Sequence, residues 1–563
     1  MEGYVVDAVP GRGFVELVLD GFRRIRVRTT FPVYVVTDNP ELIAQHPSVS
    51  SYEGEEWRDL SGEPLTVYRF ELTNLGAYGY ISRRAEVVNK VPTVLSQTLF
   101  RLNALPFRRV VVEGQRIRLE GKERLARPKV KVAKVETYDW YGPSPDGDRY
   151  LAEVDGETER GFLRDLDLWA DVVECSGRAC DRVRASVKVD SSRKRSPVSI
   201  WGLVEWSYVS MTPLREIAYS TIGKTLTTNE AWVAFRRKVV IPDVVPRVEK
   251  RRTLEEVRAA DKGGLVLFPK PGCYDGVAQV DFSSMYPSLI IKYNISAETV
   301  DACEDLKTEI GHSICLEERG IVPAALEWLV ERRRELRGVD EERSQAIKWI
   351  LVASFGYLGY RNSKFGKIEA YELVTYFARK TLRRAMEVAR EEGLEVIHGI
   401  VDSLFVRGGD LDEFARRVEE ETGMKLSVEK YDWVVMGSTA GGRPHPMRYY
   451  GRKEGGEVKT KGVERGNMPN LVRGFLREFA LSLSKARDCS EAREVLRGEC
   501  REILGAYERK AFTGEPLDYV LWIGGEPYVR GVRGFYNARS GYRGRDPYYY
   551  LGYLRRTWEN LWP

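Results

Sequence analysis

The stretch Asp281-Phe-Ser-Ser-Met-Tyr-Pro-Ser-Leu-Ile-Ile291 decides the reading of this chain. It follows the strand-like run Gly276-Val-Ala-Gln-Val280, so its acid sits at the end of a β-strand. Serines and a helix start follow at once. A carboxylate placed this way can face a cleft and hold a divalent cation. The turn N–H groups behind it can meet phosphate oxygens. A strand-end acid with no function reads the same way, so the rest of the chain must supply a partner.

That partner lies in Leu394-Glu-Val-Ile-His-Gly-Ile-Val-Asp-Ser-Leu-Phe-Val406, read as two strands around a tight turn. Asp402 sits near the turn between apolar flanks, where an unpaired carboxylate is costly. Asp281 and Asp402 in one sheet could bind one or two Mg²⁺ ions, the arrangement of two-metal phosphoryl transfer. Between them, residues 321–360 read as a helical hairpin, with helices from about Pro323 to Arg337 and from about Glu341 to Gly356. Arg333 and Arg337, four residues apart, share a face, and Lys348 lies on the second helix. Together they could grip a triphosphate. A solvated basic helix is the plain alternative.

The 563 residues are 43% hydrophobic and 30% charged, a multidomain globular composition. No apolar run approaches the ~20 residues of a membrane span, and the N-terminus has no signal pattern. The expectation is a cytoplasmic, nucleoid-associated protein with no membrane partner. Net charge is only +5, so a nucleic acid must be met by local patches such as Arg332-Arg-Arg334, Lys250-Arg-Arg252 and Arg543-Gly-Arg545. The seven cysteines include no CxxC pair, which argues against zinc and leaves free thiols as the default. High charge with only four histidines fits a heat-adapted protein, in which intracellular disulfides do occur.

Residues 1–129 alternate in β fashion, and 130–200 continue the strand pattern, with Val130–Thr137 as a strand and Ser191–Ser196 as an exposed loop. Residues 212–238 read as helix from Thr212-Pro213 onward. Within it, Ala218-Tyr-Ser-Thr-Ile-Gly-Lys-Thr225 mimics a P-loop. It follows no buried strand and contains one glycine, so it is not read as a phosphate loop. Helices are expected at 468–487 and 490–510, followed by a glycine-, arginine- and tyrosine-rich end suited to a nucleic-acid backbone.

In order and content these segments resemble the family B DNA polymerases of archaeal type. Asp281–Leu289 is similar to the first palm motif, Lys348–Tyr360 to the fingers motif and His398–Ser403 to the second palm motif. Gly263-Gly264 resembles the motif that joins the exonuclease and polymerase parts. Met447–Gly451 and Thr460–Glu464 resemble segments that contact primer–template duplex, and Gly544–Tyr548 resembles the late thumb. The resemblance implies an α+β, multidomain right-hand polymerase with an N-terminal β-rich domain and a degenerate RNase H-like exonuclease domain. The implied boundaries are 1–129 (N-terminal), 130–211 (exonuclease-like), 212–262 (linker), 263–320 and 361–440 (palm), 321–360 (fingers) and 441–563 (thumb).

By the same resemblance, Asp281 and Asp402 are catalytic and bind two Mg²⁺ ions, with Mn²⁺ able to substitute and the Phe282 carbonyl helping. Ser284 and Met285 offer N–H groups to the triphosphate, and Tyr286 excludes a 2′-OH. Arg333, Arg337 and Lys348 grip the triphosphate, and Phe355 lies by the nascent pair. Gly263, Gly264, Arg448, Tyr449, Lys461, Arg543 and Arg545 contact DNA. Primer–template DNA and dNTPs are the implied partners, with replication or repair proteins beside them. A disulfide between Cys303 and Cys315 is implied as well.

Five departures stand out. Ile400 replaces the family's first aspartate in the second palm motif. Val352, Ala353 and Phe355 replace its Asn, Ser and Tyr. Lys134 replaces the first acid of its exonuclease pair, which resembles the divergent archaeal paralogues without proofreading. The implied function is low-fidelity or lesion-tolerant synthesis. The alternative is a catalytically impaired relic that still binds primer–template. No clamp-binding peptide is read in Trp558–Pro563.

Overall fold

The computed structural model describes residues 1–121, 125–243, 248–438 and 442–561. Parts of the 239–262 linker and the last two residues of the tail therefore lie outside the described residues. The chain forms two compact units, Met1–Ala260 with Tyr286–Val374, and Asp261–Met285 with Thr375–Pro563.

The first unit begins with two antiparallel sheets around one core of valines, leucines and Phe31 and Phe70. A mixed sheet follows, built from β1 (Val132–Asp139), β2 (Arg149–Val154), β3 (Glu157–Phe162), β4 (Leu168–Cys175) and β5 (Val183–Asp190). Its order is β3-β2-β1-β4-β5, antiparallel on the β2–β3 side and parallel through β4 and β5. That mixed order accords with the RNase H-like expectation.

Helix α1 (Ile200–Ser210) was not foreseen, because every one of its residues is buried and it has no polar face to give a period. The helix expected over 212–238 is two, Leu214–Ile217 and α2 (Ile222–Arg236), the second opened by a Thr221 cap. The P-loop mimic straddles this break. Its Gly223 is a packing residue, since a Cβ there would lie 1.6 Å from the Tyr357 ring.

The helical hairpin is present as α3 (Ile321–Leu336) and α4 (Glu341–Gly359), with an Asp340 cap whose carboxylate accepts the Arg343 N–H. Leu326, Leu329 and Leu336 are fully buried. Glu205 of α1 anchors both helices. Arg332 Nε and Arg343 Nε each donate to it at 2.7 Å, and all three side chains are buried. Arg332 is therefore no part of a surface patch. Arg252 is likewise withdrawn, donating to Glu372 at 2.9 Å. Lys194, in the segment expected to be an exposed loop, is ion-paired to buried Glu174 at 2.5 Å. In each case a distant carboxylate made burial of the cation affordable.

The second unit centres on an antiparallel sheet. Val266–Leu267 edges β7 (Glu395–Ile400), then come β8 (Ser403–Arg407), β6 (Gly272–Phe282), β9 (Leu426–Ser438), β10 (Pro444–Lys453) and β11 (Val458–Lys461). Helices Asn470–Leu483, Cys489–Arg497 and Glu499–Thr513 follow, the expected second helix being broken at Gly498. The aromatic end, read as glycine-rich chain, folds into three short strands and a helix, Pro547–Leu561.

Free thiols are not the rule. Disulfides join Cys175 to Cys180, Cys273 to Cys489 and Cys303 to Cys315, and buried Cys500 stays free. Burial raises the Cys500 thiol to about 12, which leaves it unreactive. Among the described residues no helix is long and apolar enough to cross a membrane.

Candidate active site

Strand β6 runs straight through its acid. It pairs on one side with β8, where Asp281 opposes Ser403, and on the other with β9, where Asp281 opposes Ser427. The turn of the β7–β8 hairpin holds Val401, at φ +55°, and Asp402. Phe282 N–H donates to the Asp402 carbonyl at 2.9 Å. This bond fixes the hairpin tip against the end of β6, so residues 121 apart in sequence share one corner of the sheet.

Neutral groups surround Asp281. Ser403 Oγ–H donates to its Oδ1, and Gln279 Nε2 reaches the same oxygen at 3.2 Å. Gln279 in turn accepts from the Tyr431 and Tyr449 hydroxyls, each at 3.2 Å. Tyr431 also donates to Glu429. Burial pushes Glu429 upward, but Lys459, Tyr431 and Lys453 outweigh it and hold that carboxyl at about 2.

Asp402 behaves oppositely. Its residue is solvent-exposed, yet its carboxyl is raised, first by the low-dielectric surround and then by the charge of Asp281, with Lys461 opposing. Two hard carboxylates repelling one another suit a divalent, oxygen-preferring cation. Ile400, at the end of β7, adds no third acid, and no cluster of three His, Cys, Asp or Glu is found among the described residues. The donor set fits Mg²⁺ or Mn²⁺, provided the remaining ligands come from main chain, substrate or water.

Beyond β6 the chain turns sharply. Ser283 N–H donates to the Lys425 carbonyl at 2.9 Å, Ser284 takes φ +52°, and the helix Met285–Lys292 begins. Met285 is buried. The N–H groups of this first turn have no helical carbonyl to meet.

In the first unit, Tyr286 lies against Phe355, with ring centroids 4.2 Å apart. Phe355 stacks on Tyr371 at 4.4 Å. Val352 is 61% exposed on the same helix as Lys348. Lys348 is exposed and makes no ion pair among the described residues. Arg337 does not share the helical face with Arg333. It caps α3 in extended conformation, at ψ 126°. The two stay close enough that burial and then the Arg337 charge lower Arg333. An anion between them would relieve that repulsion.

The residues expected to contact DNA divide in two. Lys461 is exposed beside Asp402. Arg448 donates to Asn560 at 2.8 Å in a 270 Å³ concavity that it shares with Arg465 and Arg556. Arg543 is exposed near Tyr536. Tyr449, in contrast, is buried in the sheet core with its hydroxyl on Gln279, so it cannot face a duplex. Arg545 is folded onto the Ala511 and Phe512 carbonyls and the Tyr519 ring. Gly263 and Gly264 precede the edge strand, and the Gly263 carbonyl accepts from Arg379 at 2.6 Å. Sequence reasoning missed Ser403, Gln279 and Glu429. Only the period-two register, which needs the pairing of β6 with β8 and β9, could have found them.

The exonuclease-like sheet carries a cleft of about 1090 Å³ lined by Lys134, Glu136, Glu174 and Lys194. Lys134 Nζ meets Glu136 at 2.8 Å, and Lys194 meets Glu174 at 2.5 Å. Each acid in this group already holds an ammonium.

Comparison with known proteins agrees with this geometry. Residues 233–415 match the family model described as DNA polymerase family B. The chain is 54% identical over 561 residues to DNA polymerase 2 of Saccharolobus solfataricus, covering 100% of this chain and 87% of that one. It is 32% identical over 319 residues to DNA polymerase 2 of Aeropyrum pernix, covering 52% of this chain and 38% of that one. The solved family B DNA polymerase of Pyrobaculum calidifontis shares the fold, with TM-score 0.69 at 20% identity over 100% of this chain and 99% of the other. With its acid-bearing hairpin packed against a strand-end aspartate, and with a relative so similar over the whole of this chain, the chain belongs to DNA polymerase family B.

Proposed function

We propose that the chain adds deoxynucleotides to a primer 3′-OH on a DNA template and lacks 3′–5′ proofreading. The observation that carries this reading is the Asp281–Asp402 corner, fixed by the Phe282-to-Asp402 backbone bond and left, among the described residues, without a lysine partner on Asp281. Asp281, Asp402 and the Phe282 carbonyl would hold two Mg²⁺ ions, with Mn²⁺ able to replace them. Bound there, the cations would stabilise charge on the attacking and departing oxygens.

The protein's own residues do the rest. Ser403 and Gln279 orient Asp281 through its Oδ1. Arg333, Arg337 and Lys348 neutralise the triphosphate, which the mutual repulsion of the two arginines favours. The turn at Ser284 and Met285 presents N–H groups to phosphate oxygens. Tyr286, backed by Phe355 and Tyr371, forms a wall under the sugar that leaves no room for a 2′-OH. Val352 and Phe355 withhold two hydrogen bonds that Asn and Tyr would give. Nucleotide binding is correspondingly weak, and selection of the correct base is poor enough for synthesis past damaged templates. Lys461, Arg448 and Arg543 bind duplex backbone, and Gly263 and Gly264 lie at the entry to this part.

Proofreading is absent because Lys134 and Lys194 neutralise the acids that a nuclease would need for metal. Primer extension with Mg²⁺ and with Mn²⁺, beside Asp402→Asn, tests the main reading: extension by the parent and not by the variant is expected. Ile400 favours a second reading, a DNA-binding relic. That reading stands if parent and variant are equally inert yet both still bind primed DNA. Shortening of a mismatched primer by the pure protein without dNTPs would refute the loss of proofreading.

A further inference from the structure

We infer that the open face of β1, β2 and β3, alongside the lysine-filled cleft, is a platform that binds single-stranded DNA. The inference goes beyond polymerisation and rests on that reading only for the choice of DNA over RNA. The strand register builds the face. Tyr138 pairs with Arg149, which pairs with Phe162, and Glu136 pairs with Leu151, which pairs with Arg160. The pleat puts these six side chains on one side of the sheet. On the other side, Val135, Tyr150 and Ala152 enter the core.

The edge strand β3 sorts its charges by the same alternation. Arg160 and Phe162 lie on the open side, and Glu157 and Glu159 lie on the core side. An edge strand with its two acids on one face and its arginine on the other presents a cation on the open side although its own charge sums to −1.

The face is concave, about 610 Å³, and it is aromatic as well as basic. Phe162 is 47% exposed, with Arg149 5.7 Å and Arg164 5.2 Å from its ring centre. Trp140, in the turn after β1, is 83% exposed. The acid in the lining, Asp139, accepts the Tyr141 N–H at 2.8 Å. Exposed rings flanked by guanidinium groups match unstacked bases joined by phosphates. A duplex offers its backbone but not its base faces, so the exposed Phe162 ring selects the single strand. An acidic protein would satisfy the arginines and leave the Phe162 ring in water.

The test is fluorescence anisotropy with a labelled oligo-dT of about 12 nucleotides. The full-length chain is used, and saturating unlabelled primed duplex occupies the polymerising site. Phe162→Ala should weaken binding about tenfold. Arg149→Glu with Arg160→Glu should weaken it at least as much and reduce the salt slope by about 1.4, or 0.7 per phosphate contact. Both variants should extend a short primed template at the parent rate, which also shows that they fold. Asp402→Asn should do the reverse, losing extension and keeping the oligo-dT, so failure of the polymerase reading is told apart from failure of this one. Binding equal to the parent in both platform variants overturns the proposal. So does a gain of comparable size on Glu157→Ala with Glu159→Ala, which would mean overall charge alone is sensed.

Discussion

The sheet of β6 to β11 keeps Asp281 among neutral donors and leaves Asp402 raised, first by its low-dielectric surround and then by its neighbour. The sheet of β1 to β5 gives Glu136 the ammonium of Lys134, and Glu174 that of Lys194. Both sheets bring acids together at strand positions in the chain of a family B polymerase. The difference lies in what meets them. An acid pair left to repel itself is a site that a divalent cation stabilises. An acid that holds a lysine has no such need, and a metal would have to displace a bonded cation. Under the loss of proofreading proposed above, lysine, and not the mere loss of an acid, closes the second site.

Four experiments press on that contrast. The largest effect belongs to Asp402→Asn, which should cut nucleotide incorporation on the order of a thousandfold while leaving the fold intact. Extension at more than a tenth of the parent rate would mean that Asp402 is not the metal-bearing acid. Next comes Lys194→Ala. Lys194 is mostly buried and Glu174 is almost fully so, so removing the ammonium strands a buried charge. It should cost about 3–5 kcal/mol in urea denaturation. Loss of under about 1 kcal/mol would show that the lysine only decorates the cleft.

Glu429 comes third. Its carboxyl, held at about 2, is ionised in the fold well below the pH at which it protonates when unfolded. Its contribution is therefore full above about pH 4.5 and is lost as pH falls toward 2. After solvent screening this amounts to about 1 kcal/mol. Glu429→Gln should flatten the acid limb of a stability–pH curve over that window, and an unchanged limb would count against the Lys453 and Lys459 pairing. The smallest effect is that of Lys134→Ala. Lys134 and Glu136 are 42% and 29% exposed, so stability should change by less than about 1 kcal/mol. Even so, mismatched primers should stay intact, because Glu174 remains neutralised by Lys194.

The candidate site was legible where local pattern and function coincide. Asp281 closes an apolar run, Asp402 interrupts another at a turn, and α3 and α4 carry helix signals with a Gly338-Val-Asp340 break. Each could be read from a dozen residues. What could not be read depended on partners far along the chain. Arg332 looked like surface charge because its carboxylate, Glu205, is 127 residues away. Tyr449 looked like a DNA contact because its inward turn is set by strand register, with Gln279 170 residues back. Cys273 and Cys489, 216 residues apart, offered no spacing to notice. Helix α1 failed for the opposite reason: burial on all sides erases the very period by which helices are recognised.

The carboxylate of Glu205 has a mechanical consequence. It takes one guanidinium from each arm of the α3–α4 hairpin, so neither arm can slide along the other without breaking a buried ion pair. The two helices therefore behave as one lever pivoted at α1. Arg333, the residue after the pinned Arg332, sits at a fixed distance from that fulcrum. Whatever anion Arg333 grips, its pull is delivered to the hairpin as torque about Glu205 rather than as shear between the helices.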